Sequence, residues 1–283
     1  MDLKQWKDKK KQIYIAGIVV CGILLCGVLV FMGISHKRQK DAEALYESLR
    51  AEEEAAKKEQ EEPVAEEIPE VSPYIEFYKE NTIDFDSLHE TNEDIYAWIQ
   101  IPGTKVDYPV LQHPTDDSYY LNRTVKRASG LPGSIYSESI HARDFSDPQT
   151  ILYGHNMKNG TMFGSLHNYE KEENFQGYPY VYIYLPEKTL LYQIFAAVKF
   201  SDAYLPAYYD FEEEDCFTSF IEDVRESSGL INEELDVSFG DQILTMSTCI
   251  SKDPTHRFLV VAVLVDEYEN AEVIGGRDGS EAN

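Results

Sequence analysis

The sequence predicts a mainly β chain: a barrel of short strands decorated with helices and held at a membrane by one N-terminal span. Three observations carry that reading. Ile13 to Ile34 is almost purely apolar. From Ile95 onward, short runs rich in Val, Ile, Leu and Tyr are separated by Gly, Pro and Asp turns, the texture of six to eight strands. Two of these runs, Leu244–Cys249 and Phe258–Leu264, end and begin on chemically able residues, a cysteine and, just ahead of the second, an arginine.

Taken in order, the apolar run comes first. At about 1.5 Å per helical residue, roughly 20 such residues cross a bilayer core. A secretory signal has a shorter core and a small-residue cleavage site, whereas Ser35-His36-Lys37-Arg38 follows this run directly. Residues 1–35 are therefore expected to be an uncleaved anchor. The lysines at 4, 7, 9, 10 and 11 outweigh Lys37, Arg38 and Lys40, which favours a cytoplasmic N-terminus and an extracellular remainder. Residues 36–72 turn to Glu, Ala and Lys and then to Pro63 and Pro69, an acidic linker that is helical at first and extended later.

A folded domain is expected over 73–270. Tyr74, Phe77 and Tyr78 recur at helical spacing, and Phe85 with Leu88 marks a second short helix. Ile95–Ile101, Pro102-Gly103 and Val106–Leu111 read as a hairpin. Further strands are expected at Ser134–Ser137, Thr150–Tyr153, Tyr180–Leu185 and Leu190–Phe200, the last two joined by a turn at Pro186-Glu187-Lys188. Between Phe200 and Gln242 lies an insertion in which Phe217, Phe220, Ile221 and Val224 repeat with helical period. Residues 271–283 read as a flexible tail.

Composition narrows the function. A formal net charge of −26 argues against nucleic acid, whose phosphates require a basic face. Of four cysteines, Cys21 and Cys26 sit in the apolar run. Cys216 falls beside Phe217 and reads as a buried hydrophobe, which leaves Cys249. No paired Cys or His spacing suggests zinc, and no cofactor is expected. The contiguous acids Glu212-Glu213-Glu214-Asp215 lack the alternate spacing of a cation loop.

A lone extracytoplasmic thiol that acts as a nucleophile needs a base or a cation nearby, because a free thiol is only a few per cent thiolate at neutral pH. Of seven histidines, His155 stands out: it follows the strand Thr150–Tyr153, and Gly154 lets the backbone turn or approach a neighbour closely. His256 is the rival base, although strand alternation points it and Arg257 to opposite faces. Arg257 itself reads either as a surface cation paired with Asp253 or as a donor to an oxyanion.

Tyr153-Gly154-His155-Asn156, then Thr245-Met246-Ser247-Thr248-Cys249, then Arg257 ahead of an apolar strand, resemble the ordered His, TLxTC and Arg motifs of the sortases. Met246 replaces the usual leucine, a change that conserves volume. The N-terminal helices and the helix-bearing insertion resemble class B in particular. The resemblance implies a closed sortase-type β-barrel of about eight strands, with the insertion placed before the cysteine strand. It also implies a cysteine transpeptidase with Cys249, His155 and Arg257 as catalytic residues, and Ser247 and Thr248 as substrate contacts by motif position. The implied partners are secreted proteins bearing a C-terminal sorting signal and the amine of a peptidoglycan precursor. Pilin polymerisation, hydrolysis by a cysteine peptidase and a membrane-anchored scaffold are the competing readings.

Overall fold

The structure, a computed structural model, describes residues 3–60 and 81–270, with side chains over 20–52 and 81–270. The helix expected at Tyr74–Tyr78, the extended part of the linker, the domain start at 73 and the tail 271–283 lie outside the described residues. The chain forms two compact units, Met1–Leu45 and Tyr46–Asn283.

The first unit is carried by α1 (Leu3–Gln60), which runs beyond the first unit into the second. Val20, Leu24, Val28 and Phe31 are among many large apolar side chains of α1 that are more than half exposed. Over Val20–Ile34 the apolar side chains stay exposed, and an apolar helical run of this length is one whose solvent is lipid. Among the described residues it is the one helix long and apolar enough to cross a membrane.

The second unit is a closed mixed barrel. Its strands are β1 (Ile95–Gln100), β2 (Asp107–Leu111), β3 (Ile135–Tyr136), β4 (Gln149–Tyr153), β5 (Tyr180–Tyr184), β6 (Lys188–Ser201), β7 (Ser228–Ile231), β8 (Ile243–Ile250) and β9 (Asp253–Glu269). They pair in the order β5-β1-β2-β3-β4-β8-β9-β6, and β5 also pairs with β6, which closes a ring of eight. The long β6 pairs with β5 over Thr189–Gln193 and with β7 over Ala196–Lys199, so the ninth strand extends the ring's edge without entering it. Two pairings are parallel, β2–β3 and β4–β8. The rest are antiparallel.

Burial explains why several strands do not alternate in sequence. Ile95–Ile99 is buried throughout, because one face fills the barrel and the other is covered by helices and loops. Trp98, Tyr108, Tyr182, Tyr184, Tyr192 and Phe195 are large, fully buried side chains of this core. Trp98 keeps its indole N–H satisfied by donating to Asp107 at 2.8 Å.

The helices follow local rules. In α2 (Phe85–Thr91) the Asp84 carboxylate caps the first turn by accepting from the Ser87 N–H at 3.0 Å, and Phe85 and Leu88 face inward. Two 3₁₀ segments, Tyr119–Asn122 and Phe163–Glu170, and the short α3 (Glu172–Gly177) occupy the loops. In the insertion, α4 (Leu205–Tyr208) precedes α5 (Glu214–Glu226). Phe217, Phe220, Ile221 and Val224 form one stripe of α5, buried in a cluster with Val198, Phe200 and Ile243. Cys216, expected to be buried, is half-buried: Phe217 takes the core position and the thiol sits at the edge of the stripe.

The linker also departs from a fully solvated spacer. Tyr46 and Leu49, which belong to the barrel unit, are buried. The Tyr46 hydroxyl donates to the Gly133 carbonyl at 2.6 Å and accepts from the Val125 N–H at 3.3 Å. Burial pushes this phenol up to about 12. An aromatic side chain in an acidic run marks the place where the helix stops being spacer.

Candidate active site

Three adjacent strands place the three candidate residues. The parallel β4–β8 ladder pairs Tyr153 with Ser247. Both chains continue in the same direction, so His155 and Cys249, each two residues further on, arrive level with each other. On the other side of β8, the antiparallel register sets Cys249 directly opposite Arg257. Neighbouring strands lie about 4.7–4.9 Å apart, so the thiol stands between an imidazole and a guanidinium at one end of the barrel. All three line one cavity of about 440 Å³.

Gly154 makes the approach of His155 possible. A Cβ there would lie 2.5 Å from Ile135 Cδ1 and 2.7 Å from the Phe163 ring, so no side chain fits. The Gly154 N–H donates to the Ser247 carbonyl at 3.3 Å, and its own carbonyl accepts from the Thr248 hydroxyl at 2.8 Å. The turn carrying His155 is thereby tied to the strand carrying Cys249.

His155 has a defined tautomer. Its Nε2 lies 2.6 Å from the Leu121 carbonyl, which can only accept, so Nε2 carries a proton and Nδ1 is the nitrogen whose protonation changes. Gly133 makes room for this bond: a Cβ there, at φ +70°, would meet the Leu121 oxygen at 2.5 Å and His155 Cδ2 at 3.2 Å.

The alternatives left open by the sequence separate cleanly. His256 lines a different cavity of about 490 Å³, beside Lys199, Tyr208 and Asp223. Asp253 is engaged by Lys199 at 2.7 Å and by His256 at 3.0 Å, and Lys199 above all holds its carboxyl far below the usual range. The Arg257 guanidinium donates to the His256 carbonyl at 3.1 Å and borders the Cys249 cavity. Cys249 is an exposed free thiol. Ser247 and Thr248 also line the cavity, although the Thr248 hydroxyl is committed to Gly154.

The cavity walls include Tyr153 of the His motif and residues that sequence reasoning did not single out: Leu121, Tyr136, Glu138, Tyr204 and Leu205. Tyr204, at the start of the insertion, arches back across the sheet and donates its hydroxyl to Glu138 at 2.8 Å. Burial pushes the Glu138 carboxyl up, and burial together with this carboxylate lifts the Tyr204 phenol to about 12. Leu121 is 37% exposed and Tyr204 47% exposed, apolar surface at the mouth of a cleft. The one signal available in sequence was a Tyr-Leu-Pro at the start of the insertion. Among the described residues no group of His, Cys, Asp and Glu is arranged to hold a metal.

Comparison with known proteins agrees with this fold. A sequence model of the sortase domain matches residues 99–265. Sortase B of Staphylococcus aureus (strain NCTC 8325 / PS 47) is 32% identical over 185 residues, covering 64% of this chain and 74% of that protein. Among solved structures, the Staphylococcus aureus sortase B–substrate complex superposes with a TM-score of 0.64 at 29% identity, covering 81% of this chain and 98% of that one. Sortase B from Bacillus anthracis in complex with AAEK1 gives a TM-score of 0.57 at 34% identity, over 64% and 83%. The eight-stranded ring, the helix-bearing insertion and these matches lead to one conclusion: the chain belongs to the sortase family and, within it, to the class B cysteine transpeptidases.

Proposed function

We propose that Cys249, His155 and Arg257 are the catalytic residues of this transpeptidase, and that Ser247 and Thr248 border the bound sorting signal. The observation that supports this reading is their arrival, from three neighbouring strands, at one cavity. The Cys249 thiolate attacks the carbonyl carbon of a threonine in the C-terminal sorting signal of a secreted protein. Arg257 donates to the oxyanion that forms. The C–N bond then breaks, and the leaving amine takes the proton from Nδ1 of His155, giving a thioester on Cys249. An amine of a peptidoglycan precursor attacks the thioester, His155 Nδ1 takes its proton, and the thiolate departs. Thr248 acts through its bond to Gly154, holding the His155 turn in place.

The N-terminal span anchors the chain in the cell membrane, and the excess of lysines ahead of it puts the barrel on the outer face. We assign 1–35 to the anchor, 36–72 to a linker whose Tyr46 and Leu49 belong to the barrel unit, 73–270 to the catalytic domain and 271–283 to a tail. The test is to incubate the full-length chain, in detergent, with a panel of sorting peptides and an amine acceptor and to read products by mass spectrometry. Ligated product is expected from the wild type and none from Cys249→Ala. Cleavage whose products do not respond to acceptor would instead mark a hydrolase.

A further inference from the structure

Beyond the three residues above, a second group reaches the nucleophile from behind. The Asn156 amide nitrogen, on the residue directly after His155, lies 2.8 Å from the backbone carbonyl oxygen of Cys249. The same nitrogen lies 3.0 Å from Nε2 of His167. His167 Nδ1 is 2.6 Å from the Glu170 carboxylate, and its ring stacks on Phe258 with centroids 4.7 Å apart and planes inclined by 21°. A carboxylate only accepts, so Nδ1 of His167 carries a proton toward Glu170. The Cys249 carbonyl only accepts, so Asn156 turns its amide nitrogen toward it, which assigns the amide orientation. His167 Nε2 is itself 3.1 Å from the Cys249 oxygen.

The position of this bond gives it a consequence. Regular β8–β9 pairing breaks between Cys249 and Ile250, at the residue whose side chain has to be held still. On the β4 side the ladder ends at Tyr153–Ser247. The Gly154 bonds extend it only to Ser247 and Thr248. Asn156 carries the tie one residue further, to the backbone of Cys249 itself, from the neighbour of His155. We propose that Asn156, oriented by the His167–Glu170 pair, is a positioning residue that fixes the Cys249 backbone against the His155 turn and so sets the distance between thiol and imidazole. This rests on Cys249 being the nucleophile.

The test uses full-length Asn156→Ala, His167→Phe and the double variant, with wild type and Cys249→Ala as references. His167→Phe keeps a ring to stack on Phe258 and removes both nitrogens. Asn156→Ala is expected to lower kcat by about 10- to 100-fold, the scale of an ångström-sized misplacement of reacting groups. KM for the sorting peptide should stay within about twofold and the melting temperature should be unchanged. His167→Phe should lower kcat by a smaller factor. The double variant should fall no further than Asn156→Ala, because the two act in one chain. Wild-type kcat in both singles, multiplying losses, or a raised KM at constant kcat would overturn the proposal. Should Asn156→Ala fail to fold, a normal kcat in a folded His167→Phe overturns it and a lowered kcat at constant KM supports it. An active Cys249→Ala would overturn the nucleophile assignment instead, so the two failures are told apart.

Discussion

The end of the barrel at β4, β8 and β9 and the loop-built walls around it obey different physics. At the strand ends, position is set by hydrogen-bond register: once Tyr153 pairs with Ser247 and Cys249 with Arg257, the relation of imidazole, thiol and guanidinium follows from strand spacing. The walls come from Leu121, Glu138 and Tyr204, residues of three unrelated loops joined by side-chain contacts such as Tyr204 to Glu138. The first region fixes which bond chemistry is possible. The second shapes what can lie in the cleft, and it can change without disturbing the register. Substitutions at the strand ends should therefore act on kcat, and substitutions in the walls on KM.

The largest effect is expected at Arg257. Arg257→Ala should lower kcat/KM by about 10²- to 10³-fold, the usual cost of removing an oxyanion donor, with little change in folding. Steady-state kinetics on a sorting peptide check this. Gly154→Ala comes next: the added methyl meets Ile135 and Phe163 and should cost about 1–3 kcal/mol of stability, measured by urea unfolding. It should also lower kcat, because the clash displaces the His155 turn. In the walls, Tyr204→Phe removes the donor to Glu138 and should raise KM about fivefold at near-constant kcat, roughly the worth of one hydrogen bond. A large kcat loss from this variant would blur the division between the regions.

The smallest effect lies away from both. Burial holds the His141 pKa below its ordinary value of 6.5, with Asp147 opposing. A depressed folded-state pKa means that His141 contributes its full share of stability above about 6.5, and that this share is lost as pH falls through the folded-state value. Comparing urea midpoints at about pH 8 and pH 5 should show a smaller acid-side loss in His141→Asn than in wild type. An equal loss would assign the acid sensitivity elsewhere.

How much of this was legible in the sequence follows the same division. Strand positions came through because apolar runs and turn residues are local; Cys249, His155 and Arg257 stood out as candidates beside predicted strand ends, and the resemblance to the sortase motifs set them above His256. The short β7 was missed, since Ser228–Ile231 has neither an alternating nor a continuous apolar pattern and exists because β6 offers it an edge. Tyr46 was absorbed into an acidic helix because nothing within the helix announces the barrel surface that buries it. Glu138 had no local signal either, and Asn156, although it closes the Tyr153–Asn156 motif, had none that gave it a role of its own. One matters through a tyrosine 66 residues away, the other through a carbonyl 93 residues away.

On the proposed mechanism His155, brought level with Cys249 by the β4–β8 ladder, moves the proton, while His256 on the neighbouring strand β9 lines another cavity. The direct measurement is the rate at which a sorting peptide forms a thioester on Cys249, followed by intact-mass spectrometry in His155→Ala and His256→Ala of the full-length chain. Wild-type acylation is expected in His256→Ala and a loss of at least about 10²-fold in His155→Ala. Normal acylation in His155→Ala, or its loss in a folded His256→Ala, would contradict it.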